Sequence, residues 1–588
     1  MPRDTVDIPE ITITEKKIKK IMIDNKLNDS LFAINNINYS LTEVLMKNTS
    51  LYTRTYGPGL IASYGIRGSN SAQTKVVWND FNLNNSMIGS TDVSLLNVAE
   101  TIIDIDKNNL YSGGIGGTII LNDKMPVRSN SVLANISYNS MRNFSFNGMT
   151  GYSIKTFNNL FVFSSELDEN EYYFLRGTSK YKISNSGAKK MLFKYSGAYH
   201  INNTSIKLFV LANKLDRNIP PSRYETISDA NQLDEGLKTG FHYDLVKNNI
   251  TLKIKAGYFI DRLKYGFPLK SIFSDSHIYT MQSGIKLDWN TYKNWIVSIK
   301  IDEENTKVRT DIYGNKSESR LYFTGTGFGS LTKSLLLKTG LRSVYYKNQL
   351  LPLFPFFQIN YLIKNFKFNF NFGNNFRLPG LNDKYWPDVG VIDLKPEISS
   401  YVDFNTYVKI GNNLKINWSL YYKTIDNMIQ WLPGQGIWKP VNIEKVYSKG
   451  VDISFTANSK LDKFQLETIL SYGYNKSTNS LNIERNIIYN PSHVLLFVSR
   501  FEYEKWYLSM SGRYNSKVYV TYDNTETIPS WFVFDLRIAR DIKFKRSYFK
   551  YIMEINNILN KDYETIKNYS MPGRNLSIGI KYFFNYQK

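Results

Sequence analysis

Hydrophobic and polar residues alternate with a period of two along much of this chain. Near its end Leu576, Ile578, Ile580, Tyr582 and Phe584 are interleaved with Ser577, Gly579, Lys581 and Phe583. Phe366, Phe368, Phe370 and Phe372 alternate with Lys367, Asn369, Asn371 and Gly373. Leu414, Ile416, Trp418, Leu420 and Tyr422 likewise alternate with Lys415, Asn417, Ser419 and Tyr421. Successive side chains of a strand point to opposite faces, so each segment predicts a strand with one apolar face and one small or polar face. An apolar face towards lipid and a polar face towards a lumen is the dyad pattern of a transmembrane β-barrel. A large aromatic-rich soluble sandwich is the alternative.

The pattern differs in the first 123 residues. Ser40-Leu41-Thr42-Glu43-Val44-Leu45 predicts a helix start with its cap. Val76-Val77-Trp78 predicts a strand, and the following Asn79-Asp80 are residues that tolerate left-handed turns. Gly113, Gly114, Gly116 and Gly117, placed before Thr118-Ile119-Ile120-Leu121, allow tight turns and close approach of the backbone to a wall. Residues 21–123 therefore read as a small α/β domain and 124–588 as the barrel, which no linker, low-complexity tract or second soluble domain interrupts. Within residues 1–20, Glu10, Ile11, Thr12, Ile13 and Thr14 form a β-prone stretch in a solvated context, and Pro9 keeps it from being a central strand. Such a segment suits an extended arm awaiting an edge-strand partner, or alternatively a first strand of the small domain.

Composition sharpens this picture. The 588 residues contain no run of 18 apolar residues, and the mean hydropathy is −0.34, so transmembrane helices are not expected. The 43 Tyr and 35 Phe suit strands girdled by aromatics at two membrane interfaces. The net charge of +22 raises the question of nucleic acid, but the basic residues are scattered through the alternating strands and no nucleic-acid motif accompanies them. With no cysteine, neither disulfides nor thiol chemistry is available. Met1-Pro2-Arg3-Asp4 has no apolar segment behind it, so a signal peptide is absent from this chain and a mature form is expected.

Several motifs carry a family resemblance. Ile66-Arg67-Gly68, Val76 to Asp80, Asn82-Leu83-Asn84, Gly89 with Asp92 to Leu96, and Leu110 to Leu121 follow one another in the order of the plug landmarks of TonB-dependent outer-membrane receptors. Asn557-Ile558-Leu559-Asn560-Lys561-Asp562-Tyr563, then Met571-Pro572-Gly573-Arg574 and the last alternating strand, resemble the closing segment of the same family. Phe376-Arg377-Leu378-Pro379, Asp393 to Glu397, Ile425 to Gly434 and Gly450-Val451-Asp452 resemble its cobalamin-receptor-like branch of Bacteroidota type. The resemblance implies an all-β transmembrane barrel of 22 antiparallel strands with an N-terminal α/β plug in the lumen, located in the bacterial outer membrane. About 21 residues are then available per strand and loop. The chain departs from the family in Asn79-Asp80, where Asp-Gly or Asn-Gly is usual, in Lys107-Asn108-Asn109, and in four residues after Phe584.

The same resemblance implies a function and partners. Glu10 to Thr14 correspond to the TonB box, which pairs with the energy transducer (TonB–ExbB–ExbD). Arg67, Gly68, Gly113, Gly116 and Gly117 hold the plug, with Arg67 expected to face barrel carboxylates. Ligand contacts are expected at Tyr52, Tyr56, Asn84 and Asn85 of the plug apex and at Arg377, Tyr385, Trp386, Trp431 and Trp438 of the outer loops. Aromatic and amide groups suit a bulky polar macrocycle; interface-belt positions are the equal alternative for Trp431 and Trp438. Glu166, Asp168, Glu169 and Glu171 are candidate calcium ligands, against a solvated loop or lipopolysaccharide-facing edge, and no other cofactor is expected. His200, His242, His277 and His493 lack metal-ligand spacing, and no nucleophile motif is present, so no catalytic residue is assigned. The expected activity is import of cobalamin or another corrinoid. A ferric-siderophore receptor is the first alternative, and an accessory plugged barrel beside a surface lipoprotein the second. Outer-membrane lipid and lipopolysaccharide are the expected surroundings, with no nucleic-acid partner.

Overall fold

The computed structural model describes residues 39–107, 111–125, 130–291, 295–434 and 437–586. The segment Glu10 to Thr14 and the beginning of the small domain lie outside them.

From Asn130 onwards the alternating segments form a closed antiparallel barrel of 22 strands, with Gln349–Leu350 and Asn482–Asn486 as short additional strands on its outer connections. Closure is made by the last strand, Asn575–Tyr586, which pairs with the first, Asn130–Asn139, in the register Ile580 to Ile136. Closing the sheet satisfies every strand edge, which a hydrocarbon environment requires. The period-two pattern sorts as expected: Leu576, Ile578 and Ile580 are exposed outwards, whereas Ser577 and Lys581 are buried inside. Phe370 and Phe372 are likewise outside, with Asn369 and Asn371 buried in the lumen.

The two rims differ. Connections such as 155–156, 202–203, 364–365, 462–463 and 504–505 are two residues long and share one rim. The opposite rim carries 169–187, 219–230, 378–396, 480–492, 516–530 and 557–574. Short turns face the periplasm and long loops the exterior in outer-membrane barrels, which orients the molecule. Residues 169–174 belong to an outer loop whose hairpin pairs Tyr173–Arg176 with Ser179–Lys182. The strand before it ends at Asp168.

Residues 39–107 and 111–123 fill the lumen. A helix, Leu41–Asn48, is followed by the hairpin Tyr52–Thr55 with Ala62–Gly65 and by a four-stranded sheet. In that sheet Thr74–Trp78 runs parallel to Gly117–Asp123, flanked by Phe81–Asn82 and Thr101–Asp106. Asn79 and Asp80 both have positive φ, 45° and 68°, and make the tight turn between antiparallel strands that Asn and Asp allow. The plug core of Leu41, Leu45, Val76, Ile103 and Ile119 continues into Leu192, Phe209 and Phe259 of the barrel wall, so plug and wall share one apolar cluster.

Candidate ligand site and the plug fastenings

Two loops of the plug reach the outer rim. The first is the tip of the hairpin Tyr52–Gly65. Tyr52 is buried and donates its hydroxyl to the Thr565 carbonyl at 3.1 Å, while the Thr55 amide donates to Thr565 Oγ1 at 3.0 Å. Asn170 donates to the Pro58 carbonyl at 2.9 Å, and the half-buried Tyr56 packs edge-on against Tyr569 with ring centroids 4.5 Å apart. The first plug apex is thus seated between the outer loops 169–187 and 557–574.

The second apex is 84–90. Asn84 accepts from the Val76 amide and Thr91 hydroxyl and donates to the carbonyls of Thr74 and Gly89. Expected as a ligand contact, its amide is fully engaged in shaping its own loop. Asn85 Oδ1 accepts the Met87 amide at 2.8 Å. Against this loop lies the short helix Leu381–Tyr385 of outer connection 378–396, whose Leu381 and Asn382 amides donate to the carbonyls of Ser86 (3.1 Å) and Met87 (2.8 Å).

That helix organises the remaining candidates. Asp383 accepts from the Gly380 amide at 2.9 Å, capping the helix start, and from Trp431 Nε1 at 2.8 Å. It also meets Arg377 at 3.3 Å, and Arg377 reaches Glu397 at 3.1 Å. Glu397, fully buried, accepts from Gln73 of the plug at 3.0 Å. A continuous polar path therefore runs Trp431–Asp383–Arg377–Glu397–Gln73 from the outer mouth to the plug sheet. Trp386 is 39% exposed and meets Trp431 edge-on at 6.3 Å, Tyr385 lies beneath Lys316 at 4.7 Å, and Trp438 is 51% exposed farther along the long hairpin. The structure thus gathers Arg377, Tyr385, Trp386 and Trp431 around the second apex, and Tyr52 and Tyr56 around the first. Sequence inspection missed Asp383, although Gly380 followed three residues later by an acid is a helix-start signal. It gave no sign of Glu397 as the link to Gln73.

Deeper in the lumen the plug is fastened to the wall by charge. Arg67 Nε meets Asp452 at 3.0 Å, its Nη1 pairs with Asp403, its Nη2 donates to Ser419 at 2.8 Å, and the guanidinium lies 4.3 Å from the Tyr421 ring centre. Burial works against this cation, but the two carboxylates outweigh it and hold it firmly protonated. Gly68 has φ +77°, and a side chain there would collide with Ser477 and Ser448 of the wall. Gly116 is equally confined by Ser69 and Thr74, Gly117 adopts φ +137°, and Gly113 has open space around it. Lys47 meets Glu554 at 2.5 Å. Asp80 meets Lys300 at 3.4 Å and Lys255 at 3.6 Å; burial alone would raise its pKa, yet the two ammonium groups bring it below the usual range. Lys194 holds Asp123 at 2.7 Å, and Arg217 holds Asp92 at 2.7 Å.

The four acidic residues considered for calcium do not converge. Glu166 is buried in the lumen with Lys190 at 3.5 Å, and Asp168 borders the cavity beside plug Gly59. Glu169 and Glu171 lie outside, paired with Arg142 at 3.5 and 3.4 Å, and Glu171 also with Lys182 at 2.9 Å. Among the described residues no group of three or more His, Asp or Glu is arranged as a metal site. This donor set does not fit a bound calcium.

The family model described as TonB dependent receptor-like, beta-barrel matches residues 27–558. The chain belongs to the TonB-dependent receptor family. This TonB-dependent receptor is 24% identical over 225 residues to the vitamin B12 transporter BtuB of Photobacterium profundum, covering 37% of this chain and 35% of that protein. It is 27% identical over 222 residues to BtuB of Vibrio vulnificus, covering 36% and 34%. The chain thus spans about a third of the length of the curated relatives it matches. Among solved structures, it superposes on the siderophore receptor PirA from Acinetobacter baumannii with a TM-score of 0.79 and 10% identity, covering 97% of this chain and 99% of that one. The unliganded ferric citrate transporter FecA gives 0.78 at 12% identity, covering 96% and 97%. At these identities the likeness establishes the fold alone; the family match and the closed 22-strand barrel give the outer-membrane location.

Proposed function

We propose that this receptor imports a bulky, scarce nutrient across the outer membrane, with energy delivered by TonB–ExbB–ExbD to the segment Glu10 to Thr14. The observation that carries this proposal is the ionic fastening of the plug around the lumen, at Arg67, Lys47, Asp80, Asp92 and Asp123. A plug tied at so many points does not leave by thermal motion alone, so passage requires work applied to it. The path from Trp431 to Gln73 gives ligand in the outer mouth a physical connection to the plug sheet.

A corrinoid is the first candidate cargo, supported by the partial similarity to vitamin B12 transporters. The aromatic and polar mouth formed by Trp386, Trp431, Tyr385 and Tyr56 suits a macrocycle of that kind. A ferric siderophore is the second candidate, supported by siderophore and ferric citrate receptors among the structural neighbours. The test is calorimetric titration of the detergent-purified receptor with cyanocobalamin and with ferric citrate, each with and without calcium. Saturable, near-stoichiometric binding of cyanocobalamin supports the corrinoid. No heat from a folded barrel rejects it, and binding of ferric citrate alone assigns the second class.

A further inference from the structure

Arg54 stands apart from the other plug cations. It lies on the apex strand Tyr52–Thr55, half-buried, with its guanidinium 5.1 Å from the centre of the Tyr489 ring. Of the other plug cations, Arg67 holds Asp403 and Asp452, Lys47 holds Glu554 and Lys107 holds Asp452. Arg54 makes no ion pair and no hydrogen bond with any of the described residues. Burial draws its pKa down, and its electrostatic neighbours are the phenols of Tyr52, Tyr489 and Tyr56. The carboxylates that act on Tyr489 are already engaged: Glu564 with Arg223 at 3.0 Å and Glu526 with Lys567 at 3.9 Å.

The surroundings are built rather than incidental. Tyr489 has φ +53°, a left-handed conformation that is a genuine outlier for a bulky residue, and its amide is held by the Tyr519 carbonyl at 2.8 Å. Strain of this kind persists where surrounding structure imposes it, and here it fixes an aromatic ring over the cation. Tyr52 and Tyr56 are the cation's other phenol neighbours, and Tyr56 is itself held edge-on by Tyr569. A guanidinium half-removed from water, with donor groups unused and hydroxyl-bearing rings beside it, is arranged to accept an oxyanion in bidentate fashion.

We propose that Arg54, flanked by Tyr52, Tyr56 and Tyr489, is an oxyanion receptor at the first plug apex, and that the natural ligand presents a phosphate or carboxylate there. The inference rests on the receptor function proposed above only for the side from which ligand arrives. It also ties ligand charge directly to the plug, since Arg54 belongs to the element that must move. Phosphodiester-bearing corrinoids and carboxylate-bearing siderophores both meet the requirement.

The experiment uses the full-length receptor, wild type, Arg54→Gln and Arg54→Lys, each checked for a folded barrel by heat-modifiable electrophoretic mobility. Inorganic phosphate and citrate are titrated first as simple probes, at low ionic strength. Wild type should bind at least one saturably, Arg54→Gln about tenfold to a hundredfold more weakly, and Arg54→Lys in between. No anion binding by wild type, or equal affinity in wild type and folded Arg54→Gln, overturns the site. Cyanocobalamin, cobinamide lacking the phosphodiester, and ferric citrate follow. A preference for cyanocobalamin over cobinamide that Arg54→Gln abolishes assigns the phosphate, and Arg54-dependent ferric citrate binding assigns the carboxylate. Arg54-dependent binding of the simple anions without binding of either cargo leaves the site standing and removes both proposed cargoes. Equal cyanocobalamin binding by wild type and Arg54→Gln keeps the corrinoid and overturns the assignment of its phosphate to Arg54.

Discussion

A charge enclosed in a barrel lumen is stable only with its counter-charge in place, and Arg67 shows how much depends on one side chain. Its guanidinium and Asp403 expose 7% and 2% of their side chains. Removing one partner of such a pair leaves an uncompensated charge and costs about 3–5 kcal/mol. Arg67→Gln should therefore lower the thermal midpoint of the plug and raise sensitivity of cells to a bulky antibiotic that the outer membrane normally excludes. Arg67→Gln with Asp403→Asn should recover part of both losses; no recovery would show that the two residues do not act as a pair. Glu43, on the plug helix, gives a pH-dependent counterpart. Burial raises its pKa in the folded state, and the nearby Lys47 only partly opposes that. A carboxyl with a raised folded pKa costs nothing below its unfolded pKa and destabilises as pH rises through the folded value. Glu43→Gln should thus raise the melting temperature at pH 7, with the gain shrinking as the pH approaches 4. A gain that grows on acidification would reverse the sign.

Between residue and barrel lies the element, and the helix Leu381–Tyr385 is the one that joins mouth to plug. Asp383→Ala removes its cap and the acceptor for Trp431, a loss of about 1–2 kcal/mol. Faster hydrogen exchange should follow at residues 381–386 and 86–89, with the barrel strands unchanged; protection equal to wild type would mean that Asp383 does not organise the loop. The legibility of the chain divides along the same line. Strands such as Phe366–Arg377 and Asn575–Tyr586 were readable because lipid on one side and a polar lumen on the other impose a local period of two. The turn at Asn79 and Asp80 was readable from residue type alone. The path from Trp431 to Gln73 was not, because its members are brought together only by barrel closure and plug insertion. Arg54 and Tyr489 are 435 positions apart in the sequence, and neither carries a local motif. Glu166 and Asp168 face the lumen while Glu169 and Glu171 lie outside, since the strand ends at Asp168 and the chain turns away. Adjacency in sequence suggested one cluster where the fold makes two environments.

At the scale of the whole molecule, binding and release are separable. The outer mouth is formed by loops of the barrel and two plug apices, whereas the fastenings at Arg67, Asp80 and Asp123 lie on the plug below them. Binding can therefore proceed with every fastening intact, and transport cannot. Several charge pairs and a shared apolar cluster must give way together, or the plug must unfold from one end so that they yield one at a time. A pull on an extended arm achieves the second, because force applied at a terminus loads successive contacts rather than all of them at once. Deleting Ile8 to Thr14 should then leave cargo affinity within about twofold of wild type while abolishing accumulation in energised cells. The same deletion in the Arg67→Gln background should restore slow, energy-independent entry if the fastenings are what the pull overcomes. Uptake that survives the single deletion would show that work does not enter through this segment, and a loss of binding would show that the segment also shapes the mouth.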